Sequence, residues 1–149
     1  MDAEHYSREL LKILRCHSEQ ATNTLKAVDS VLPEKVSAIK LGVHPNQEPD
    51  GLFAILIHLE GPNLYVLNKA IDAHRYLFDV KFVDGQLTPQ VPMFDPFDMD
   101  FEVNDVIVDT ALLWLEEVWL NFNGKIKKLP TQVFGEQGYG TKTPRQLSA

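Results

Sequence analysis

Residues 104–122 read as a helix that is apolar nearly all round, apart from Asp105, Asp109, Glu116, Glu117 and Asn121. A helix of that kind has no wet face to spare and must be packed deeply, which here means against a sheet. Trp114 with Val118, and Leu115 with Trp119, form i,i+4 pairs along it. No apolar run in the chain approaches the roughly 20 residues needed to cross a bilayer, so the helix is read as a core element and no membrane contact is expected. With 149 residues the chain is read as one domain, 1–149.

The N-terminal stretch, 1–32, reads as a second long helix. Tyr6, Leu10, Leu14, Ala21, Leu25 and Val28 recur at steps of three, four or seven, one stripe of a 3.6-residue period, and Pro33 ends it. Ala21-Thr-Asn-Thr24 has poor helix propensity, and a break is expected there if anywhere.

Between the two helices, residues 36–94 form the sheet region. Val36–Val43 alternates, with Ile39, Leu41 and Val43 on one face and Lys40, Gly42 and His44 on the other. Leu52–Leu59 is apolar on both faces until His58, as expected of an interior strand covered on both sides. Asn63 is positioned to cap a short helix running to about His74, although the Leu64–Leu67 run also reads as a third strand. Tyr76–Val83 alternates again, and Asp84-Gly85 marks a two-residue hairpin turn with positive φ at both positions. Pro89 and Pro92 place the return strand, Gln86–Phe94, at an edge. The fold class is therefore α+β: two long helices packed on a mainly antiparallel sheet of about four strands, in the order α-β-β-(α)-β-β-α. In size, acidity and element order this resembles the small chaperones of bacterial type III secretion, a likeness of topology without a shared motif.

Charge is unevenly placed. Residues 125–149 hold five of the fourteen basic residues and a single acid, Glu136, a net +4 that leaves −11 on residues 1–124 of a chain whose total is −7. This basic Gly/Pro-containing tail reads as loop, to be met either by the chain's own acids or by an acidic partner. The negative total argues against nucleic acid. Cys16 is the sole cysteine, and the opening Met-Asp-Ala-Glu-His has no signal-peptide character; both fit a cytoplasmic protein.

No catalytic or cofactor signature emerges. No two of the five histidines stand three or four apart, so no helical metal pair exists, and neither a metal nor a cofactor is expected. Cys16 and His17 are adjacent on a helix and so do not face one another; Cys16 reads as an inert, partly buried thiol, and His17 as a core-edge histidine satisfied by a backbone carbonyl. Gly135 to Thr143 lacks the lysine directly after the second glycine, and the following helix, that a phosphate loop requires. The most unusual segment is Phe94-Asp-Pro-Phe-Asp-Met-Asp-Phe-Glu. Its acids fall near calcium-loop positions, but Val103 stands where that loop needs glycine. Phe94, Phe97 and Phe101 are expected to plug the core while the acids face water.

Two functions follow as expectations. The first is a small acidic interaction module of chaperone, adaptor or immunity type without catalytic activity, meeting a basic protein partner through Asp95, Phe97, Asp98, Asp100 and Glu102. The other is a small-molecule-binding domain or enzyme with a pocket between sheet and helix, lined by His58, Tyr76 and Trp114.

Overall fold

The computed structural model describes residues 1–147. Helix α1, Ala3–Arg15, starts where the Asp2 side chain accepts the His5 N–H at 2.8 Å, and it buries Tyr6, Leu10 and Leu14. Helix α2, Ser18–Ser30, buries Ala21, Leu25 and Val28 on the same stripe. The expected single helix over 1–32 is thus two, and the break falls at Cys16–His17 rather than in Ala21–Thr24. Thr22 and Thr24 are accommodated within the helix, their hydroxyls donating to the Ser18 and Gln20 carbonyls at 2.9 and 3.0 Å. At the break, His17 leaves helical geometry at φ −106°, ψ 11°, and its Nδ1 donates to the Ile13 carbonyl at 3.0 Å. His17 is therefore the carbonyl-satisfied, half-buried core-edge residue expected, whereas Cys16 is exposed rather than partly buried.

The main sheet has five strands, lying side by side in the order Tyr76–Asp79, Phe53–Glu60, Ala38–Pro45, Thr131–Gly135 and Arg145–Gln146. Its centre is the antiparallel pair β1, Ala38–Pro45, and β2, Phe53–Glu60, in unbroken register from Ala38↔Glu60 to Pro45↔Phe53. Helix α3, Leu64–Lys69, follows β2 with its start capped by Asn63; the segment is helix and not strand, but the helix stops at Lys69 rather than near His74, where Asp72–His74 forms a separate 3-10 turn. Strand β3, Tyr76–Asp79, flanks β2. The expected strand over Tyr76–Val83 breaks at buried Val80, and Lys81–Val83 (β4) pairs instead with Gln86–Thr88 (β5) in a separate hairpin. Its turn has the anticipated geometry, with φ of 52° at Asp84 and 79° at Gly85.

Helix α4, Val103–Asn121, crosses from the hairpin back to the sheet and leads to β6, Thr131–Gly135, which lies parallel to β1. The short β7, Arg145–Gln146, closes the far edge. The fold is α+β as expected, but its sheet is mixed and five-stranded, and the basic stretch 125–149 is not loop. It supplies β6 and β7; positions 148 and 149 lie outside the described residues.

Helices α1, α2 and α4 cover one face. There Ile39, Leu41 and Val43 of β1 and Ile55, Ile57 and Leu59 of β2 are buried. Trp114 of α4 is 0% exposed and donates its indole N–H to Ser18 Oγ at 2.9 Å, tying α4 to the start of α2. Arg15 grips Glu117 through two bonds of 3.1 and 2.6 Å, tying α1 to α4. The opposite face is largely open. Ala54, Leu56, His58 and Glu60 on β2 are only half-buried, so this strand is interior to the sheet but not covered on both sides. Helix α3 reaches over that face from the β2 side, held by Asn68, whose amide bonds both the N–H and the carbonyl of Leu59 at 2.9 and 3.1 Å.

Candidate functional site

The acid-and-aromatic segment is a built turn. Asp95 Oδ1 accepts the Phe97 N–H and the Asp95 carbonyl accepts the Asp98 N–H, both at 3.0 Å, with Pro96 between them to pre-set φ. The feet of the segment are fixed. Phe94 stands edge-on to Tyr6 at 4.7 Å between ring centres and to Phe101 at 5.8 Å, while Phe101 lies 5.9 Å from Tyr6. With the core side filled by those three rings, Phe97 at the tip has nowhere to go. It is 94% exposed, which overturns the expectation that it plugs the core. Asp95, Asp98, Asp100 and Glu102 are all exposed around it, and none forms an ion pair among the described residues.

The next two acids have a different task. Asp105 Oδ1 accepts the Gly140 N–H at 2.8 Å. Asp109 accepts the Thr141 N–H at 2.8 Å, the Thr141 hydroxyl at 2.7 Å and the Lys142 N–H at 3.3 Å. The C-terminal segment therefore docks on α4, through backbone donors and at a glycine with φ of 101°, and leaves the acids of the turn uncovered.

The other expected site residues are scattered. Trp114 is sealed on the helix-covered face, and Tyr76, half-exposed on edge strand β3, lines a groove shared with His17 and Phe78. His58 alone faces a cleft of about 420 Å³ on the open face. The three do not form one pocket.

What surrounds His58 was not anticipated. Arg75 Nη2 lies 3.0 Å from His58 Nδ1. A guanidinium can only donate, so Nδ1 is bare and the His58 proton sits on Nε2. That proton points at His44 Nε2, 3.0 Å away, which must accept; His44 then carries its own proton on Nδ1, 3.2 Å from Glu136 Oε2. The hydrogen bonds thus run one way from Arg75 through His58 and His44 to Glu136. Burial, and next the neighbouring His44 and Arg75, push the His58 imidazole down to about 4. Gly42 makes the meeting possible, since a Cβ there would stand 2.6 Å from His44 Nε2, 2.7 Å from Phe134 Cζ and 3.0 Å from His58 Nε2. The pair is ill-suited to a metal: ligation through His58 Nε2 would move its proton to Nδ1, against the Arg75 donor. Among the described residues no group of three or more His, Cys, Asp or Glu could hold one.

The β1 alternation had already put Lys40, Gly42 and His44 on the face shared with His58. Gln132 and Phe134 were hidden because their strand was not recognised, and Glu136, which directly follows that strand, was hidden with them. No helix among the described residues is long and apolar enough to cross a membrane. Set beside known proteins, the chain is matched along residues 1–149 by the model of a family of unknown function (DUF6389). No curated protein and no solved structure matches it.

Proposed function

The chain belongs over residues 1–149 to the family of unknown function DUF6389, and because that membership carries no activity with it, we propose from the geometry that this is a small acidic, non-catalytic interaction module of chaperone, adaptor or immunity type that docks a basic protein through the Asp95–Glu102 turn. The observation that carries this reading is Phe97: a 94% exposed aromatic held at the tip of a hydrogen-bonded turn and flanked along the chain by four exposed carboxylates. Burying a phenylalanine side chain is worth about 1.5–3 kcal/mol, and here that gain is left for a partner to supply. Aromatic anchors that enter a partner's pocket dominate many interfaces, and flanking charges choose the partner and speed its approach. A ring of acids repels phosphate, so neither nucleic acid nor an anionic membrane is the proposed target. The exposed, unpaired Cys16 thiol suits a reducing cytoplasm, where this partner would be met.

The test is site-specific photo-crosslinking in the producing cell, with benzoylphenylalanine in place of Phe97. Leu120 is the control, another apolar side chain, 81% exposed and on α4. We expect a discrete adduct with a basic protein from position 97, lost when Asp98→Lys and Asp100→Lys are added, and no such adduct from position 120. No adduct from position 97, or the same adducts from both positions, would overturn the reading.

A further inference from the structure

The cleft on the open face of the sheet is lined independently of the turn. Its floor is one cross-strand row, because Lys40 on β1 is in register with both His58 on β2 and Gln132 on β6. Leu64 of α3 forms one wall, and Tyr139 and Pro144 of the C-terminal segment form the other. About 420 Å³ falls within the usual range for a small-molecule site.

The lining divides by chemistry. At one end the rings gather: Phe134 lies 5.8 Å from His58 at an interplanar angle of 43° and 5.8 Å from His44 at 89°. The other end is polar. Lys40 Nζ is paired with Glu60 Oε1 at 3.3 Å, and the Gln132 side chain makes no hydrogen bond among the described residues although it faces the cleft. Lys40 is the cleft's one cation among the described lining residues and Glu60 its one acid.

We propose that this cleft binds a free α-amino acid with an aromatic side chain. The ring would lie among Phe134, His58 and Leu64, where offset and edge-on contacts are available. The carboxylate would sit against Lys40 and the Gln132 amide, and the ammonium against Glu60. A zwitterion inserted into the Lys40–Glu60 pair leaves neither side chain without a counter-charge. A simple carboxylate would draw Lys40 away and leave Glu60 unpaired; a simple amine would do the reverse. Phosphate esters suit the site poorly, because Glu60 adjoins the single lysine and no arginine lines the cleft.

The experiment is titration of the full chain with L-phenylalanine and L-tryptophan, followed by calorimetry and amide NMR. The comparison compounds are 3-phenylpropionate, phenethylamine and glycine. We expect the aromatic amino acids to shift the amides of Lys40, Gln132 and Phe134. Each compound lacking the ammonium, the carboxylate or the ring should bind at least about tenfold more weakly, a difference of ~1.4 kcal/mol. Lys40→Met and Glu60→Gln, both at half-exposed positions, should each weaken binding by about tenfold or more while circular dichroism stays unchanged. No response to either amino acid at roughly millimolar concentration would overturn the assignment, since that is a floor for specific recognition. So would equal affinity for 3-phenylpropionate, or wild-type affinity in both variants.

Discussion

A methyl group at Gly42 would stand 2.6 Å from the ring nitrogen of His44, so one missing side chain lets two imidazoles meet above the middle of a strand. The consequence is a histidine that resists protonation. His58 is held down to about 4, by burial first and then by His44 and Arg75. An unfolded histidine titrates near 6.5, so between about pH 6.5 and 4 the unfolded chain takes up a proton that the native chain refuses. Native stability should therefore fall as pH drops through that window, with no further contribution from His58 below it. Histidine NMR should give His58 a midpoint near 4, and Arg75→Ala should raise it by removing the cation and freeing Nδ1. A wild-type midpoint above about 6 would contradict the hydrogen-bonded chain. At this scale the sequence was informative about faces and silent about meetings. His44 could be assigned to a face, but His58 stood on a strand read as covered on both sides, and the contact between them depends on β1–β2 register. Three aromatics in nine residues suggest three core plugs, yet Asp95-Pro96 is a turn opener, and it is the turn that sets Phe97 at a tip.

The elements with strong periodicity were legible, and those held by context were not. The stripe from Tyr6 to Val28 and the apolar body of α4 identify themselves, because burial on a helix repeats every 3.6 residues. The interruption at Cys16–His17 does not, since it depends on what Trp114 and Ile13 offer there. β6 was the largest omission. Thr131–Gly135 alternates in burial, but five residues followed by glycines give a weak signal, and a parallel partner ninety residues upstream leaves no turn between them to read. Its importance can be measured. β6 lies between β1 and β7, with Val133 at 0% exposure, so a chain ending at Gly124 loses a wall of the core. Such a chain should lose cooperative unfolding in urea. An intact transition at the full-length midpoint would mean that the C-terminal stretch is an appendage after all.

Across the whole molecule, charge is distributed by task. The basic C-terminal segment folds onto the body: Arg145 lies 3.8 Å from Glu116, Lys127 sits 6.0 Å from the Trp119 ring centre, and backbone donors at 140–142 dock on Asp105 and Asp109, while the Lys125, Lys128 and Lys142 side chains pair with no acid among the described residues. Asp95, Asp98, Asp100 and Glu102, the exposed neighbours of Phe97 in the chain, pair with no base among the described residues. The charge asymmetry was visible in the sequence, but which acids hold the C-terminal segment and which stay exposed required the fold. The measurement that bears most directly on the docking reading is the association rate of the crosslinked partner as a function of ionic strength. Long-range attraction is screened within about 10 Å at 0.1 M salt, so the wild-type on-rate should fall steeply as salt rises. The Asp98→Lys, Asp100→Lys chain should associate slowly with little salt dependence, and Phe97→Ala should chiefly speed dissociation. A wild-type on-rate indifferent to salt, together with wild-type affinity in the double reversal, would contradict it.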